Sequence, residues 1–244
     1  MIVKDEEALL PVALNSVRGV ADELCIGIDS RTHDATRRIA TSFGARTFTF
    51  DWQDDFSFAR NLGLKRARGD WILVLDADDR LTTWGTTMVR AVMHQPSQEV
   101  DCYAFRIEQQ SLAGDLVVHD DWLSIRLWKN LPTIRYAGRV HEQVMQSGQS
   151  PPVGALRTAI GIVHVGYDPL LVKLRDKSQR NIALLHLALR ESPDDKFLTY
   201  QLARQYRAAS DVALARQYAR LAIGLPGDLL PEVLADLESL TRAY

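Results

Sequence analysis

Apolar and polar positions alternate along the first half of the chain in short, well-marked blocks. Met1-Ile2-Val3 is a brief apolar run, broken by Lys4-Asp5-Glu6-Glu7. Leu9, Leu10, Ala13, Leu14 and Val17 then recur at the spacing of one buried helical face. Residues 23–28 read as a second strand that ends in the polar turn Asp29-Ser30-Arg31-Thr32-His33-Asp34. A helix over 35–43 follows, closed by Gly44, and residues 46–50 form a third strand. The next helix begins near Ser57, read as its N-cap, and runs to Ala67 before Gly69. Trp71 to Leu75 is an unbroken β-rich apolar run, which predicts a strand buried on both faces at the centre of a parallel sheet. The order βαβαβ, helix, β implies parallel pairing with right-handed crossovers.

Beyond this point the pattern predicts a helix over 81–95 and a strand over 100–110. A turn at Gly114-Asp115 leads into Leu116–His119, and strands follow over 121–128 and 160–165. From Leu170 onward the period is helical only, with helices over 173–190, 196–208, 211–223 and 232–243. Leu202, Ala203, Tyr206, Ala215, Ala222 and Pro226 fit the tetratricopeptide pattern of about 34 residues. One such repeat is visible where about three are needed for a free-standing array, so the tail is expected to pack on the rest of the chain or on a partner. The expected organisation is an α/β domain over 1–168 and a small all-α tail over 169–244.

The chemistry gathers where the apolar runs end. Asp76, Asp78 and Asp79 follow the Trp71–Leu75 run, Asp29 follows the second strand, and Lys4 to Glu7 follow the first. Open α/β sheets bind ligands at this edge. Carboxylates at roughly 6 Å repel by about 3 kcal/mol at an effective dielectric of ~20, a cost that a bound cation removes. Oxygen ligands of this kind suit Mg²⁺ or Mn²⁺. Arg60 sits in the first turn of its helix, where the dipole disfavours a cation, so an anionic partner is expected. No Gly-x-Gly-x-x-Gly or Gly-x-x-x-x-Gly-Lys occurs, which removes weight from dinucleotide and P-loop enzymes.

Composition narrows the class without choosing a reaction. The 244 residues are 46% hydrophobic and 25% charged, as in ordinary soluble domains, and the formal net charge of −2 gives no support for nucleic-acid binding. No run approaches the roughly 18 apolar residues of a membrane span. Met1 to Glu7 lacks the shape of a signal peptide. Cys25 and Cys102 both lie in apolar strands and read as core thiols in a reducing compartment.

Three segments in order, Met1-Ile2-Val3-Lys4-Asp5-Glu6-Glu7, Asp55-Phe56-Ser57-Phe58-Ala59-Arg60-Asn61 and Gly69 to Asp79, resemble family 2 glycosyltransferases of the GT-A fold. The similarity is to the branch with a tetratricopeptide-like helical tail, which includes peptide S-glycosyltransferases and lipopolysaccharide-core glucosyltransferases. Arg135 to Glu142 resembles the family's segment ending in Val-His-Glu. The resemblance implies a Rossmann-like parallel or mixed sheet and a metal-dependent, inverting transfer from a nucleotide-diphosphate sugar, UDP-linked. It implies nucleotide contacts from Val3, Lys4, Glu6, Asp29, Arg60, Asn61, Asp76 and Ala77, and a metal held by Asp76, Asp78 and His164. Glu142 would serve as the base that deprotonates the acceptor, since transfer with inversion needs a carboxylate to take that proton. Asp79 is ambiguous between a donor-sugar contact and a helix cap, and His141 between orienting a substrate and packing.

A peptide, a lipopolysaccharide core and a cell-envelope glycan are the candidate acceptors, lipid-linked or not. Trp52, Trp122, Trp128 and Tyr136 could form an aromatic platform for one, or lie in the core. The expected location is cytoplasmic or peripheral to the inner membrane face, with homo-oligomerisation through the tail. The chain departs from the family's usual pattern at Asp5, in the turn after Asp29, and in beginning inside the first strand. Those departures keep a second reading open, a non-catalytic nucleotide-sugar-binding scaffold acting through its tail. A nucleotidyltransferase is a third, weakened by the missing Gly-rich loop.

Overall fold

The computed structural model describes residues 1–110, 121–165, 174–226 and 231–242. The expected turn at Gly114-Asp115 and the segment 116–119 lie outside these. The described residues form two compact units, one of 1–137 with 142–168 and one of 138–141 with 169–244.

The first unit has the expected α/β alternation at its start. Strands β1 (Ile2–Val3), β2 (Cys25–Asp29) and β3 (Arg46–Phe50) form a parallel sheet in the order β1-β2-β3. Helices α1 (Leu10–Ser16) and α2 (Thr36–Ser42) connect them. Val3, Leu10, Leu14, Ile26, Ile28 and Ala40 make one apolar cluster, which Ala77 joins. That contact places the acidic turn beside the C-terminal ends of β1 and β2.

Helix α3 (Phe56–Leu64) is capped by Asp55, whose carboxylate accepts from Phe58 N–H at 2.8 Å. Ser57, expected as the cap, instead donates its hydroxyl to Asp55. A carboxylate two residues earlier reaches the N3 amide and begins the helix sooner.

The remaining strands form a second, mixed sheet in the order β4-β7-β6-β10-β5. These are β4 (Trp71–Leu73), β5 (Asp79–Leu81), β6 (Cys102–Gln109), β7 (Asp121–Lys129) and β10 (Val153–His164). β4 is therefore an edge strand, antiparallel to β7, and not the centre of a parallel sheet. Among the described residues no ladder joins β4 to β1. An apolar run reports that both faces are covered, but not which strand lies alongside.

Of the two readings of Asp79, the helix cap is not what the structure shows, because Asp79 opens β5. Helix α4 (Thr83–His94) is capped by Thr82, whose hydroxyl accepts from Gly85 N–H at 2.9 Å. α4 lies close against β10, and a Cβ on Gly85 would stand 2.1 Å from the Gly161 carbonyl oxygen. The core under this sheet comprises Leu75, Leu81, Val89, Phe105, Ile107, Leu127 and Ile162 among others. A hairpin of β8 (Ile134–Ala137) and β9 (Gln143–Gln146) completes the unit. Both cysteines are free; Cys102 is a core thiol, which burial pushes up to about 12, whereas Cys25 is only half-buried.

The second unit is helical, with α5 (Leu174–Glu191), α6 (Lys196–Ala208), α7 (Val212–Gly224) and α8 (Pro231–Arg242). Asp195 and Asp211 cap α6 and α7 through the amides of Leu198 and Leu214. Of the repeat residues, Ala203 and Ala222 are fully buried, in one cluster with Ala219, Tyr200, Leu237 and Leu240. Small alanines at these positions let α6 and α7 approach closely.

Candidate active site

Most of the expected site residues converge on the C-terminal ends of the strands. Arg60, from the first turn of α3, has the anionic partners its position demanded. Its Nη2 lies 2.9 Å from Asp76 Oδ1, and its Nε donates to Glu142 Oε1 at 2.6 Å. The guanidinium carbon sits 5.4 Å from the centroid of the Tyr136 ring. Burial alone would depress its ionisation, but Asp76 and Glu142 raise it well above the ordinary arginine value.

Arg126, from β7, is a second internal cation. Its Nη1 lies 3.4 Å from Asp76 Oδ2 and 3.2 Å from Asp79 Oδ2. Its Nε is buried with no hydrogen-bond partner. Burial raises the Asp76 carboxyl, and the two arginines overcome that effect and hold it well below the usual carboxylate range. Sequence reasoning missed Arg126. The available signal was a cation inside the apolar run Ile125-Arg126-Leu127-Trp128, which burial permits only beside an anion.

Asp79 is fully buried at 0% exposure, and each of its oxygens has a partner. Oδ1 faces His164 Nδ1 at 2.8 Å, while Oδ2 accepts from Asp76 N–H at 3.0 Å. Asp78 Oδ1 lies 3.7 Å from the same His164 nitrogen. One potential ligand atom from each of Asp78, Asp79 and His164 falls within 4.8 Å of the others. Burial lowers the His164 ring, but the Asp79 hydrogen bond and the neighbouring carboxylates raise it on balance. The hard oxygen donors and one imidazole suit Mn²⁺ and also accommodate Mg²⁺. Asp76 is not in that group; it stands on the two arginines.

Asp29 lies at the end of β2 with only 4% exposure. Arg31 grips it with Nε to Oδ1 at 2.9 Å and Nη2 to Oδ2 at 2.6 Å, and the Arg31 amide adds a third bond at 2.9 Å. Burial opposes ionisation of Asp29, yet the Arg31 hydrogen bonds hold its pKa below the ordinary value.

The other expected nucleotide contacts take varied places. Val3 and Ala77 are buried in the apolar cluster, so they could offer backbone and not side chain. Lys4 is half exposed and paired with Asp5 at 3.4 Å. Glu6 uses its backbone: its carbonyl accepts from the Leu9 and Leu10 amides at the start of α1, and its amide donates to Thr36 Oγ1 at 2.7 Å. Asn61 bonds to the backbone of Tyr136. Its amide donates to the Tyr136 carbonyl and accepts from the Tyr136 amide, each at 2.9 Å, which fixes β8 over the site. Burial pushes the Tyr136 phenol up to about 12, so it stays protonated.

Of the aromatic residues, Trp128 is buried, while Trp122 is part-exposed and meets His164 edge-on at 5.8 Å. His141, in the second unit, packs edge-on to Phe197 at 6.5 Å, and burial together with Arg204 lowers it to about 4.

Strand-end acids, two internal arginines and one histidine thus gather in one buried cluster. The family profile described as "Glycosyl transferase family 2" matches residues 1–127 of this chain. The chain belongs to glycosyl transferase family 2. Among its curated relatives, a TPR repeat-containing protein of Synechococcus elongatus is 35% identical over 90% of this chain and 54% of that protein. The SPbeta prophage-derived glycosyltransferase SunS of Bacillus subtilis is 24% identical over 91% of this chain and 52% of SunS. The chain thus spans about half the length of these relatives. The crystal structure of S. aureus TarS resembles the fold with a TM-score of 0.54 at 14% identity, covering 96% of this chain and 49% of that one. The GT-A-type α/β fold with a helical tail follows from these likenesses. No helix among the described residues is long and apolar enough to cross a membrane.

Proposed function

We propose that this family 2 chain transfers a sugar, with inversion, from a nucleoside-diphosphate sugar, UDP-linked, to a peptide or glycan acceptor. The observation that supports this reading best is the Arg60 bridge. It joins Asp76, on the donor side of the sheet edge, to Glu142, the candidate base, within one buried cluster.

In this reading Glu142 takes the proton from the acceptor nucleophile as that atom attacks the anomeric carbon. The bond from that carbon to the nucleotide phosphate breaks on the opposite face, and the nucleoside diphosphate leaves with the electron pair. Arg60 orients Glu142 through Oε1 and supplies positive charge beside the departing diphosphate. Asp78 and His164 would hold Mn²⁺ or Mg²⁺. When bound, the cation neutralises charge that builds on the leaving phosphates. Asp76 contacts the nucleotide or that cation while its pairing with Arg60 and Arg126 keeps it ionised. Lys4, Glu6 and the backbone of Val3 and Ala77 line the nucleotide pocket, and Asp29 reads the base once Arg31 yields.

One observation favours the second reading, a nucleotide-sugar-binding or scaffold protein. Arg31 already occupies the Asp29 carboxylate that the base would need. Calorimetric titration of UDP with and without Mn²⁺, on wild type and Asp78→Ala, separates the two. Metal-dependent binding that Asp78→Ala abolishes supports the transferase and opens a screen of UDP-sugars for transfer. A folded protein that binds no UDP under either condition would sink a UDP-using enzyme.

A further inference from the structure

Glu142, the candidate base, follows a turn that belongs to the helical unit. β8 and β9 are paired as far as Ala137 and Gln143, and residues 138–142 connect them. Gly138–His141 group with the helical unit, and the chain returns to the α/β unit at Glu142. Among the described residues, no backbone hydrogen bond joins one member of this turn to another. Two members have left-handed backbone, Gly138 at a φ of 97° and His141 at 53°. Glycine adopts that conformation freely, whereas a histidine does so at a cost that its surroundings have to offset. Helices α5 and α6 supply those surroundings. The His141 ring packs edge-on to Phe197, near the start of α6, with centroids 6.5 Å apart. Arg139 Nε donates to Oε1 of Glu191, the last residue of α5, at 3.0 Å. Val140 between them is 3% exposed. The ion pair is exposed and grips weakly, so the packed histidine is the firmer hold. The next residue is Glu142, whose Oε1 accepts from Arg60 Nε at 2.6 Å.

We infer that the helical tail is a positioning device for Glu142: Phe197 and Glu191 hold His141 and Arg139, and the fixed turn delivers the Glu142 carboxylate to Arg60. His141 and Glu142 share a peptide bond, and β9 begins at Gln143. A change in the His141 φ therefore falls almost wholly on Glu142 before the strand pairing takes hold. Arg139, His141, Glu191 and Phe197 act through Glu142 and not on the substrate. The consequence for rate rests on the reading of Glu142 as the base, but the placement of its carboxylate does not. A catalytic group misplaced by about 1 Å costs on the order of 100-fold in rate.

Hydrogen exchange followed by ¹⁵N NMR on the full chain tests the placement without any substrate. It reads the amides of 138–144 and the Arg60 Nε–H, the latter identified by its loss in Arg60→Lys. Wild type is compared with Phe197→Ala, Phe197→Leu and Glu191→Arg, which sets like charges together at Arg139, and thermal melting checks that each variant folds. In Phe197→Ala the turn amides and the Arg60 Nε–H should exchange about tenfold faster, as expected for the loss of one aromatic contact, while β6 and β7 keep their rates. Phe197→Leu should recover part of the protection, and Arg139→Glu should restore what Glu191→Arg loses. An Arg60 Nε–H that exchanges as in wild type in folded Phe197→Ala and Glu191→Arg overturns the inference. Exchange that quickens equally in β6 and β7 also overturns it, and makes Phe197 a residue of general stability. Hydrolysis of UDP-glucose with Mn²⁺, water serving as acceptor, then tests the base. Phe197→Ala should lower kcat by about 10- to 100-fold with KM unchanged, and Glu142→Gln should lower it at least as far. If Glu142→Gln hydrolyses as wild type does while the exchange behaves as expected, the reading of Glu142 as the base fails and its positioning by the tail stands.

Discussion

Arg60 Nε donates to Glu142 Oε1 at 2.6 Å across 82 residues of sequence, and this contact ties the β8–β9 hairpin to α3. Because the same guanidinium also holds Asp76, its removal strands two carboxylates in a buried place. Arg60→Ala should lower stability by about 3–5 kcal/mol in urea denaturation. Arg60→Lys should recover part of that, since one ammonium cannot span both partners in the same geometry. A cost below about 1 kcal/mol for Arg60→Ala would mean that solvent reaches the cluster freely.

His141 makes acid stability a readout of the second unit. Its folded value of about 4 lies below the ordinary 6.5, through burial and Arg204, so the unfolded chain binds the extra proton between those values. Stability rises with pH across that window and is lost as pH falls from about 6.5 to about 4, by up to roughly 3 kcal/mol. His141→Asn should flatten this slope, and asparagine also tolerates the positive φ of 53° at this position. A slope unchanged in the variant would assign the acid sensitivity to other groups.

Gly85 is the point of closest approach between α4 and β10. A methyl there meets a backbone carbonyl that cannot swing aside, so Gly85→Ala should cost about 3 kcal/mol or more despite alanine's higher helix propensity. Thermal melting of Gly85→Ala beside Gly44→Ala makes the comparison. Gly44 has a φ of +75° and open space around its Cβ position, so only backbone strain applies there, about 1 kcal/mol. Equal losses would argue against the tight packing of α4.

Asn61 carries a donor and an acceptor to the same backbone residue. Asn61→Asp keeps the acceptor for the Tyr136 amide but places a carboxylate oxygen against the Tyr136 carbonyl. The expected cost is about 1–3 kcal/mol, with loss of transfer activity as β8 shifts. Full activity in this variant would separate the position of β8 from function.

Arg31 should compete with the nucleotide for Asp29. If Asp29 reads the base, Arg31→Ala frees its carboxylate and tightens UDP binding by about tenfold, equivalent to one charge-assisted hydrogen bond. Titration of UDP into the variant decides the point. Weaker binding would instead make the exposed guanidinium itself a base contact.

Much of the architecture was legible in the residues because burial leaves a periodic trace. The pattern of Leu10, Leu14, Ile26 and Ile28 predicted α1 and β2, and the Ala203–Ala222 spacing predicted the helix pair of the tail. The acids at Asp29 and Asp76 were readable as strand-end groups, because chain direction places each after the C-terminal end of its strand; that β2 and β4 belong to different sheets was not readable. Arg60 announced an unseen anion by its unfavourable place in α3.

Which groups meet was decided only by the tertiary structure. The apolar run at Trp71 reports burial but carries no record of its neighbours, so it did not reveal that β4 lies at the edge of a mixed sheet. β5, a strand of three residues from Asp79 to Leu81, is too short to show a period. Its register opposite His164 comes from pairing with β10, a contact across 85 residues that nothing local encodes. The same holds for Arg126, Arg60 and Glu142. Sequence sets the types of charge available, while the three-dimensional fold chooses their partners, because electrostatic energy depends on distances through space and on the burial that surrounds them.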